Sequence, residues 1–214
     1  MSTVAAAFDD GFRATLAALF ALRRDVRHFR PDPLPEGVLE RLFALARLAP
    51  SVGLSEPWRF AIVADPARRT RVRALFEACN QRALAGYDGE RAALYARLKL
   101  AGLDIAPVQF AAFSDRATEQ GAGLGRQTMP ETAEYSVVAA IHTIWLAARA
   151  EGIGLGWVSI LDPAEMPEIL DVPRSWRLVG YFCLGRPEEE ATIPELQRLG
   201  WAARAPMSQN ILNR

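Results

Sequence analysis

The sequence predicts an α+β or mixed α/β domain, because helical segments alternate with about four short apolar segments typical of strands. Its most informative stretch is residues 128–163. Thr128 and Glu131 have the spacing of a capping box, with Pro130 in the first turn. From Ala133 to Ala148 the predicted helix is apolar on nearly every side. We therefore expect this central helix to be buried all round, in the core or in a subunit interface.

A glycine run and a short apolar segment follow the central helix. Gly152, Gly154 and Gly156 are expected to end the helix, and residues 157–161 predict a short buried strand. We expect the rest of the chain to wrap around this helix–strand unit.

Periodicity, caps and prolines predict the other elements. Apolar residues at helical spacing indicate a helix over 9–22 and another between Pro35 and Pro50. Asp65 and Pro66 have the order of a cap and a first helical residue. The remaining predicted elements are a strand over 58–63, a helix from 66 to about 80, a helix over 90–101, a strand over 107–113, a loop over 114–127, a short helix over 163–170 and a strand over 176–184.

Length and charge bound the organisation of the chain. With 214 residues we expect a single domain over 1–214, with a core at about 16–184. The extended C-terminal arm, residues 185–214, is long for a segment without its own core, so we expect it to pack on a second subunit. The 25 basic and 25 acidic residues cancel, which gives no electrostatic basis for binding nucleic acid or an anionic membrane.

Few residues suited to metal or redox chemistry are present. Cys79 and Cys183 match no metal or redox spacing, so we expect inert core thiols in a reducing compartment. His28 and His142 are the only histidines, which argues against a His-based metal centre or a catalytic triad. The acidic N-terminus is unlike a signal peptide, and the central helix is too interrupted for a membrane span. We expect a cytoplasmic, soluble protein.

Two glycine-rich segments have the composition of a dinucleotide-binding loop but not its context. Residues 121–125 do not directly follow a predicted strand, and residues 152–156 come after a helix and before a strand. The sequence also contains no G-x-x-x-x-G-K-[ST] motif. We predict neither a Rossmann nor a P-loop site.

Three arginines near the N-terminus form the clearest candidate binding site. Arg23, Arg24 and Arg27 lie within five residues, between a helix and a proline-rich turn, as in a clamp for phosphate or another anion. A solvated basic turn is the alternative. Asp25 is either their ion-pair partner or, if it faces a ligand, a charged carboxylate available as a base.

Small hydroxyl residues mark two further candidates. Residues 49–58 join a helix to a strand, and their serines and glycine would let a flat polar ligand approach the backbone; a plain turn is the alternative. Ser159 lies in a predicted apolar strand, where a serine bonded to the backbone is the more common case than a catalytic one.

In combination and in this order, these motifs resemble the FMN-dependent nitroreductase superfamily and, more narrowly, the 5,6-dimethylbenzimidazole synthase (BluB) family of cobalamin synthesis. The resemblance spans about residues 16–204. Nitroreductases usually carry Ser where this chain has Asp25, whereas the synthases carry Asp; Glu56 departs from relatives, which typically have Gln. The segments that carry the resemblance are RRDVRHF (23–29), APSVGLSEPWRF (49–60), LKLAG (98–102), LGRQTMP (124–130) and GLGWVSILDP (154–163).

The resemblance implies a nitroreductase-like, mixed but mostly antiparallel sheet flanked by helices, with a long buried central helix, in a domain-swapped homodimer whose FMN sites lie between subunits. It implies oxygen-dependent fragmentation of reduced FMN to 5,6-dimethylbenzimidazole and D-erythrose 4-phosphate, with FMN as substrate, O2 as co-substrate and no metal. A separate NAD(P)H flavin reductase would supply the reduced FMN.

The resemblance also implies roles for individual residues. Asp25 would transfer protons and Ser159 would hydrogen-bond near the reacting ring. The residues expected to bind the flavin are Arg23, Arg24, Asp25, Val26, Arg27, Ser51, Gly53, Ser55, Leu100, Ser159, Leu161 and Arg204. Two alternatives stay open: an NAD(P)H-dependent FMN nitroreductase or flavin reductase with FMN as permanent cofactor, and a non-catalytic flavin-binding dimer.

Overall fold

A computed structural model describes residues 8–98 and 101–212 of the chain. The strands are β1 (Trp58–Ile62), β2 (Val108–Asp115), β3 (Gly154–Val158) and β4 (Trp176–Gly185). The α-helices in these ranges are α1 (Asp10–Leu22), α2 (Val38–Ala46), α3 (Pro66–Leu84), α4 (Gly89–Arg97), α5 (Gly102–Ile105), α6 (Thr132–Ala150), α7 (Met166–Leu170) and α8 (Glu195–Arg198). Short 3-10 turns occupy Val52–Leu54, Gln120–Gly123 and Met207–Asn210. The α+β prediction is confirmed.

The four strands form one sheet in the order β1-β2-β4-β3. Each neighbouring pair is antiparallel, so the expectation of a mixed sheet is wrong for the strands that the structure describes. Parallel pairing in these ranges is limited to a single bridge between Asp25 and Leu155. β1 and β3 are therefore the two edges of the sheet.

The two faces of the sheet bury different helices. Alternation along the strands points Ala111, Phe113 and Tyr181 to one face, where they pack with α3 and α7. The neighbouring residues Phe110 and Phe182 point to the other face, where they pack with α2 and α6. The result is a three-layer arrangement with α6 along one face of the sheet.

Helix α6 differs from its prediction in where it begins and in how it is buried. It begins at Thr132, whose hydroxyl donates to the Met129 carbonyl, and Thr128 lies in the preceding turn, so the predicted capping box is wrong. One side of α6 is fully buried against the sheet. The other side is open in a single chain: Tyr135 and Val138 are 57% and 38% exposed. Burial on all sides therefore does not occur within one chain.

Strand β3 begins three residues earlier than predicted. The aromatic and β-branched residues indicated a strand over 157–161, whereas the observed strand is Gly154–Val158. Its glycines belong to the strand because the N-terminal segment crosses them closely: a Cβ on Gly156 would lie 2.1 Å from the Val26 carbonyl oxygen. Ser159 and Leu161 consequently follow the strand instead of forming it.

The C-terminal arm docks on the N-terminal segment through backbone pairing. Phe29 bridges Pro187, and the Arg30 amide donates to the Arg186 carbonyl at 2.8 Å. No helix within 8–98 or 101–212 has the length and apolarity that crossing a membrane requires.

Candidate active site

The position of Asp25 is fixed by the edge strand β3. The Val26 amide donates to the Leu155 carbonyl at 3.1 Å, and Asp25 Oδ1 accepts from the Trp157 amide at 2.8 Å. A Cβ on Gly154 would lie 2.6 Å from Val26 Cγ2, so both glycines flanking Leu155 are needed for this approach. The G-x-G spacing thus lets the Asp25 segment pack closely against β3.

Asp25 lies in the wall of a cavity of about 370 Å³. Four parts of the chain form the cavity: the segment after α1, the C-terminal half of α6, the start of β3 and the C-terminal arm. Representative lining residues are Asp25, Arg27, Trp145, Leu155, Glu188 and Glu195. The cavity is therefore closed by residues that are far apart in the sequence.

Burial raises the pKa of the Asp25 carboxyl, and the negative charge of Glu195 raises it further. The Trp157 amide and the cations of Arg27 and Arg23 lower the pKa and offset part of this effect. The side chain keeps 38% of its surface open to the cavity. A carboxyl that is accessible and has a raised pKa is suited to accept a proton from a bound ligand.

The three clustered arginines have different environments. Arg24 donates to the carbonyl oxygens of Ala21, Arg23 and Thr192, so its guanidinium is used to hold the backbone. Burial lowers the pKa of Arg24, and the nearby cations Arg204 and Arg23 lower it further. Arg204 thus lies near enough for its charge to act on Arg24, and grouped positive charges favour an anionic ligand. That Arg204 binds such a ligand stays a prediction.

Arg27 and Arg23 retain donors that could face such a ligand. Arg27 is 11% exposed, its Nε lies 3.7 Å from Asp25 Oδ2, and its buried Nη1 has no hydrogen-bond partner among the described residues. The Arg23 guanidinium lies over the Trp145 ring, 4.9 Å from its centroid. Because a buried unpaired guanidinium nitrogen is costly, Arg27 Nη1 is a candidate to bind an acceptor that the described residues do not supply.

The Cys183 thiol lies beneath Asp25, where it lines a smaller cavity together with Asp25, Arg27 and Gly102. Burial, with a smaller contribution from the charge of Asp25, raises the pKa of Cys183 to about 12. Such a thiol stays protonated at neutral pH and is a poor nucleophile. For Cys183 the prediction of an inert core thiol is consistent with its environment.

The second predicted segment, residues 51–56, lies before β1 at the opposite edge of the sheet. Ser51 Oγ accepts from the Glu56 amide at 3.1 Å. Ser55 is fully buried and its Oγ has no partner among the described residues. Gly53 has a positive φ of 56°, and a Cβ there would lie 2.6 Å from the Leu124 carbonyl oxygen. Residues 51–56 do not line the Asp25 cavity within the described chain.

The other predicted site residues are scattered. Ser159 is exposed just past β3 and does not line the Asp25 cavity in the described ranges. Leu161 is only 8% exposed and packs in the core. Leu100 lies outside the described residues. The roles of these residues stay predictions.

Several residues of the cavity were not found by sequence reasoning. The Trp157 amide holds Asp25, and the Trp145 indole donates to the Arg24 carbonyl at 3.1 Å. His28 and Glu195 form a pair across the cavity, with His28 Nε2 3.7 Å from Glu195 Oε1. A tryptophan inside the apolar central helix was the one available signal; nothing in the sequence pattern pairs residue 28 with residue 195.

Comparison with known proteins places the chain among its relatives. Residues 21–186 match the nitroreductase family. The chain is 59% identical to the 5,6-dimethylbenzimidazole synthase of Rhodospirillum rubrum, over 93% of this chain and 94% of the relative. It is 48% identical to the 5,6-dimethylbenzimidazole synthase of Rhodobacter capsulatus, over 93% of this chain and 96% of the relative.

A solved structure supports the fold. The structure of oxidised iodotyrosine deiodinase bound to FMN and 3-iodo-L-tyrosine is similar with a TM-score of 0.70 and 23% identity, over 82% of this chain and 91% of that chain. At this identity the likeness shows the fold alone. From the matched family and the two synthases, the chain belongs to the nitroreductase family and, within it, to the 5,6-dimethylbenzimidazole synthases.

Proposed function

We propose that this protein is a 5,6-dimethylbenzimidazole synthase, which uses O2 to fragment reduced FMN. The products are 5,6-dimethylbenzimidazole, D-erythrose 4-phosphate and an oxidised fragment that contains the remaining pyrimidine part of the flavin ring. The observation that carries the proposal is the 59% identity over 93% of the chain to a synthase of that name. The presence of Asp25 in the cavity wall adds chemical support, because its carboxyl can move a proton.

The residues around Asp25 fit a flavin phosphate. The cavity of about 370 Å³ lies within the range of small-molecule sites, and it joins an apolar wall to charged side chains of both signs, with arginines beside Asp25. Arg23, Arg24 and Arg204 would attract the phosphate, and the unpaired Nη1 of Arg27 would donate to a polar edge of the ligand. In this proposal Asp25 accepts a proton from the ribityl side of the bound reduced flavin.

Reduced FMN is the substrate in this proposal, and its own ring supplies the electrons that O2 consumes. The chain's contribution is to bind the flavin, to hold the Asp25 carboxylate by the Trp157 amide, and to exclude water with the arm. Ser159 would hydrogen-bond near the reacting ring. A separate NAD(P)H flavin reductase would supply the reduced FMN, and oxidised FMN would be held weakly.

The second flavin-binding segment supports a homodimeric site. β1 and β3 lie three strand spacings apart, about 14 Å, so residues 51–55 of one chain do not reach its own Asp25 cavity. Apolar side chains are exposed on α1 and α6, among them Phe12, Phe20 and Tyr135 at 45%, 47% and 57%. In the proposed domain-swapped homodimer a second copy covers these side chains, and its residues 51–55 complete the site.

The test starts from purified protein mixed with photoreduced FMN under nitrogen. Air is then admitted and the products are identified by mass spectrometry. The expected result is 5,6-dimethylbenzimidazole together with a four-carbon sugar phosphate. Recovery of intact oxidised FMN alone would overturn the proposal, and rapid NAD(P)H oxidation by a protein that purifies yellow would favour the flavin reductase alternative.

Asp25→Asn is the informative variant in this assay. Removing a general base of this kind lowers the rate by about 10²- to 10⁴-fold. Asp25→Asn should still bind FMN, since the arginines are unchanged. If the wild-type protein also binds FMN without forming product, a non-catalytic flavin-binding dimer is favoured. Product formation by Asp25→Asn at the wild-type rate would contradict the assignment of the base.

A further inference from the structure

A second carboxylate faces the same cavity as Asp25. Glu195 lies in the first turn of α8, on the C-terminal arm, and both carboxylates line the cavity. The Glu195 side chain is only 18% exposed, and its Oε1 lies 3.7 Å from His28 Nε2. The chain therefore brings two acidic groups, 170 positions apart in the sequence, to one enclosed space.

The arm that carries Glu195 is held on both sides of α8. Before α8, Arg24 Nε donates to the Thr192 carbonyl at 3.0 Å and Arg149 pairs with Glu190 at 2.7 Å. These contacts begin on α6 and on the segment that contains Asp25. The position of Glu195 is thus tied to the same elements that form the cavity.

After α8 the arm is anchored by Trp201. Its amide donates to the Leu196 carbonyl at 2.8 Å, and its ring packs against Tyr87 and Tyr95 with centroids 5.6 and 6.1 Å apart. The Arg91 guanidinium lies 3.9 Å from the centre of the Trp201 ring. An aromatic anchor of this size keeps the short helix α8, which could not persist alone, against the cavity.

Glu195 differs from the other acidic residues of the arm. Glu188 and Glu189 also line the cavity, but both are exposed, and Glu190 is paired with Arg149. Solvent screens the charges of the exposed carboxylates more than the charge of the largely buried Glu195. Of these groups, Glu195 is the one whose charge opposes the ionisation of Asp25, as the last and smallest of the causes that raise or lower its pKa.

We propose that Glu195 is a positioning residue for the reaction: docking of the arm places its carboxylate, beside His28, in the same cavity as Asp25, where its charge acts on that base. This inference rests on the proposed function for its role in catalysis. With the arm docked, Asp25 is a stronger base; with the arm displaced, Asp25 loses the opposing charge and becomes a weaker one. Closure of the cavity and the proton affinity of its base are thereby coupled.

The other charges around Asp25 act in known directions and stay in place. Arg23 and Arg27 from its own segment and the Trp157 amide from β3 favour the ionised carboxylate, and the protonated Cys183 thiol from β4 lies beneath it. Glu195 also faces His28, which balances its charge only when the imidazole is protonated. Replacing Glu195 by Gln removes one negative charge and keeps the size of the side chain.

The experiment titrates Asp25 by carbon-13 NMR in protein that carries labelled aspartate and no flavin, with the Asp25 signal identified by its loss in Asp25→Asn. Glu195→Gln is expected to lower the pKa of Asp25, and Glu189→Gln, which removes the same charge from the exposed rim, is expected to leave it unchanged. Glu195→Asp should keep most of the wild-type pKa. An unchanged Asp25 titration in Glu195→Gln overturns the inference.

A second variant and a second readout separate this effect from simple misfolding. Trp201→Leu removes the anchor, leaves both carboxylates in the chain, and should shift the Asp25 pKa in the same direction as Glu195→Gln. In turnover, the limb of the pH–rate profile that reports Asp25 should move to lower pH in Glu195→Gln, whereas a purely structural role would change KM without moving it.

The two proposals fail in different ways. If wild-type protein makes no 5,6-dimethylbenzimidazole, the proposed function fails, while the NMR titration still decides the effect of Glu195. If the wild type is active but neither the titration nor the pH profile moves in Glu195→Gln, the inference about Glu195 alone is wrong.

Discussion

The two edges of the sheet carry the two segments that the sequence assigns to flavin binding, and one chain completes them to different extents. At the β3 edge, Asp25 is held by the Trp157 amide and enclosed by the arm. At the β1 edge, Ser55 Oγ is buried without a partner among the described residues, and Leu54 is 72% exposed.

The difference between the two edges indicates where the rest of the proposed site would come from. Buried polar groups are normally hydrogen-bonded, and large apolar side chains exposed side by side are typical of interaction surfaces. Each edge keeps a buried polar atom without a partner among the described residues, Arg27 Nη1 near β3 and Ser55 Oγ before β1. The edges differ because a formed cavity lies beside β3 and residues 51–55 do not line it. The homodimer proposed above would bring the two edges together.

Of the variants that test the difference between the two edges, Gly156→Ala is expected to have the largest effect. It should displace the Asp25 segment from β3. The added Cβ would lie 2.1 Å from the Val26 carbonyl oxygen, so the Asp25 segment must move away from β3. Overpacking of this kind costs about 1–3 kcal/mol or more, and we expect synthase activity to be lost as well. Thermal unfolding and the product assay measure the two effects.

Gly86→Ala is the matched control for that change. Its added Cβ would lie 3.4 Å from the Ala83 carbonyl oxygen, an ordinary contact outside the cavity. This variant should keep the wild-type activity. Wild-type activity and melting temperature in Gly156→Ala would show that the close crossing of Val26 over β3 is not required.

Mixing two inactive variants tests whether the edges meet between subunits. Asp25→Asn disables the β3 edge, and Ser51→Trp places a bulky ring in the β1 segment. If each site takes one edge from each subunit, random exchange into dimers restores about a quarter of the sites. The measurement is product formation after co-refolding the two variants in equal amounts.

The mixing experiment distinguishes a site within one chain from a site between two chains, because each variant keeps the edge that the other variant has lost. Activity no higher than that of the separate variants would place both edges of a working site in the same chain. A mixture of Asp25→Asn with Gly156→Ala is the control, since both changes affect the β3 edge and no complementation is expected.

The smallest expected effect is the change in folding stability that Asp25→Asn causes. The pKa of Asp25 in the folded chain is raised above 3.8, so ionisation of this carboxyl destabilises the fold. The stabilising contribution of the protonated carboxyl is fully present below about pH 3.8 and is lost as the pH rises through the pKa that Asp25 has in the folded chain. Asp25→Asn avoids this loss, and its side-chain oxygen can still accept from the Trp157 amide. We expect a higher melting temperature than the wild type at pH 7, with the difference vanishing near pH 4.

Thermal melts of both proteins between pH 4 and pH 8 check this sign. A variant that is more stable and inactive would mark Asp25 as a group kept for chemistry at the expense of stability. If Asp25→Asn were less stable than the wild type at pH 7 and equally stable at pH 4, Asp25 would instead be an ion-pair partner of Arg27. This is the alternative role that the arginine cluster suggested in the sequence.

Local sequence determined the parts of the fold that depend on local interactions. Asp9 caps α1 and Asp65 caps α3, each through its carboxylate. The sequence predicted α1 from the helical spacing of its apolar residues and α3 from Asp65 and Pro66. The arginine cluster and Asp25 were likewise singled out by type and spacing. In each case the cause acts within a few residues, so the sequence by itself was sufficient.

Long-range approach decided the rest. Gly154 and Gly156 were expected to end the central helix, because glycine has a low propensity for regular structure. They form a strand instead, and the Val26 segment crosses them closely. The pairing of Asp25 with the Trp157 amide and of His28 with Glu195 joins residues more than 100 positions apart. Such contacts leave no local pattern, since burial and hydrogen-bond partners are set only when the sheet, α6 and the arm come together.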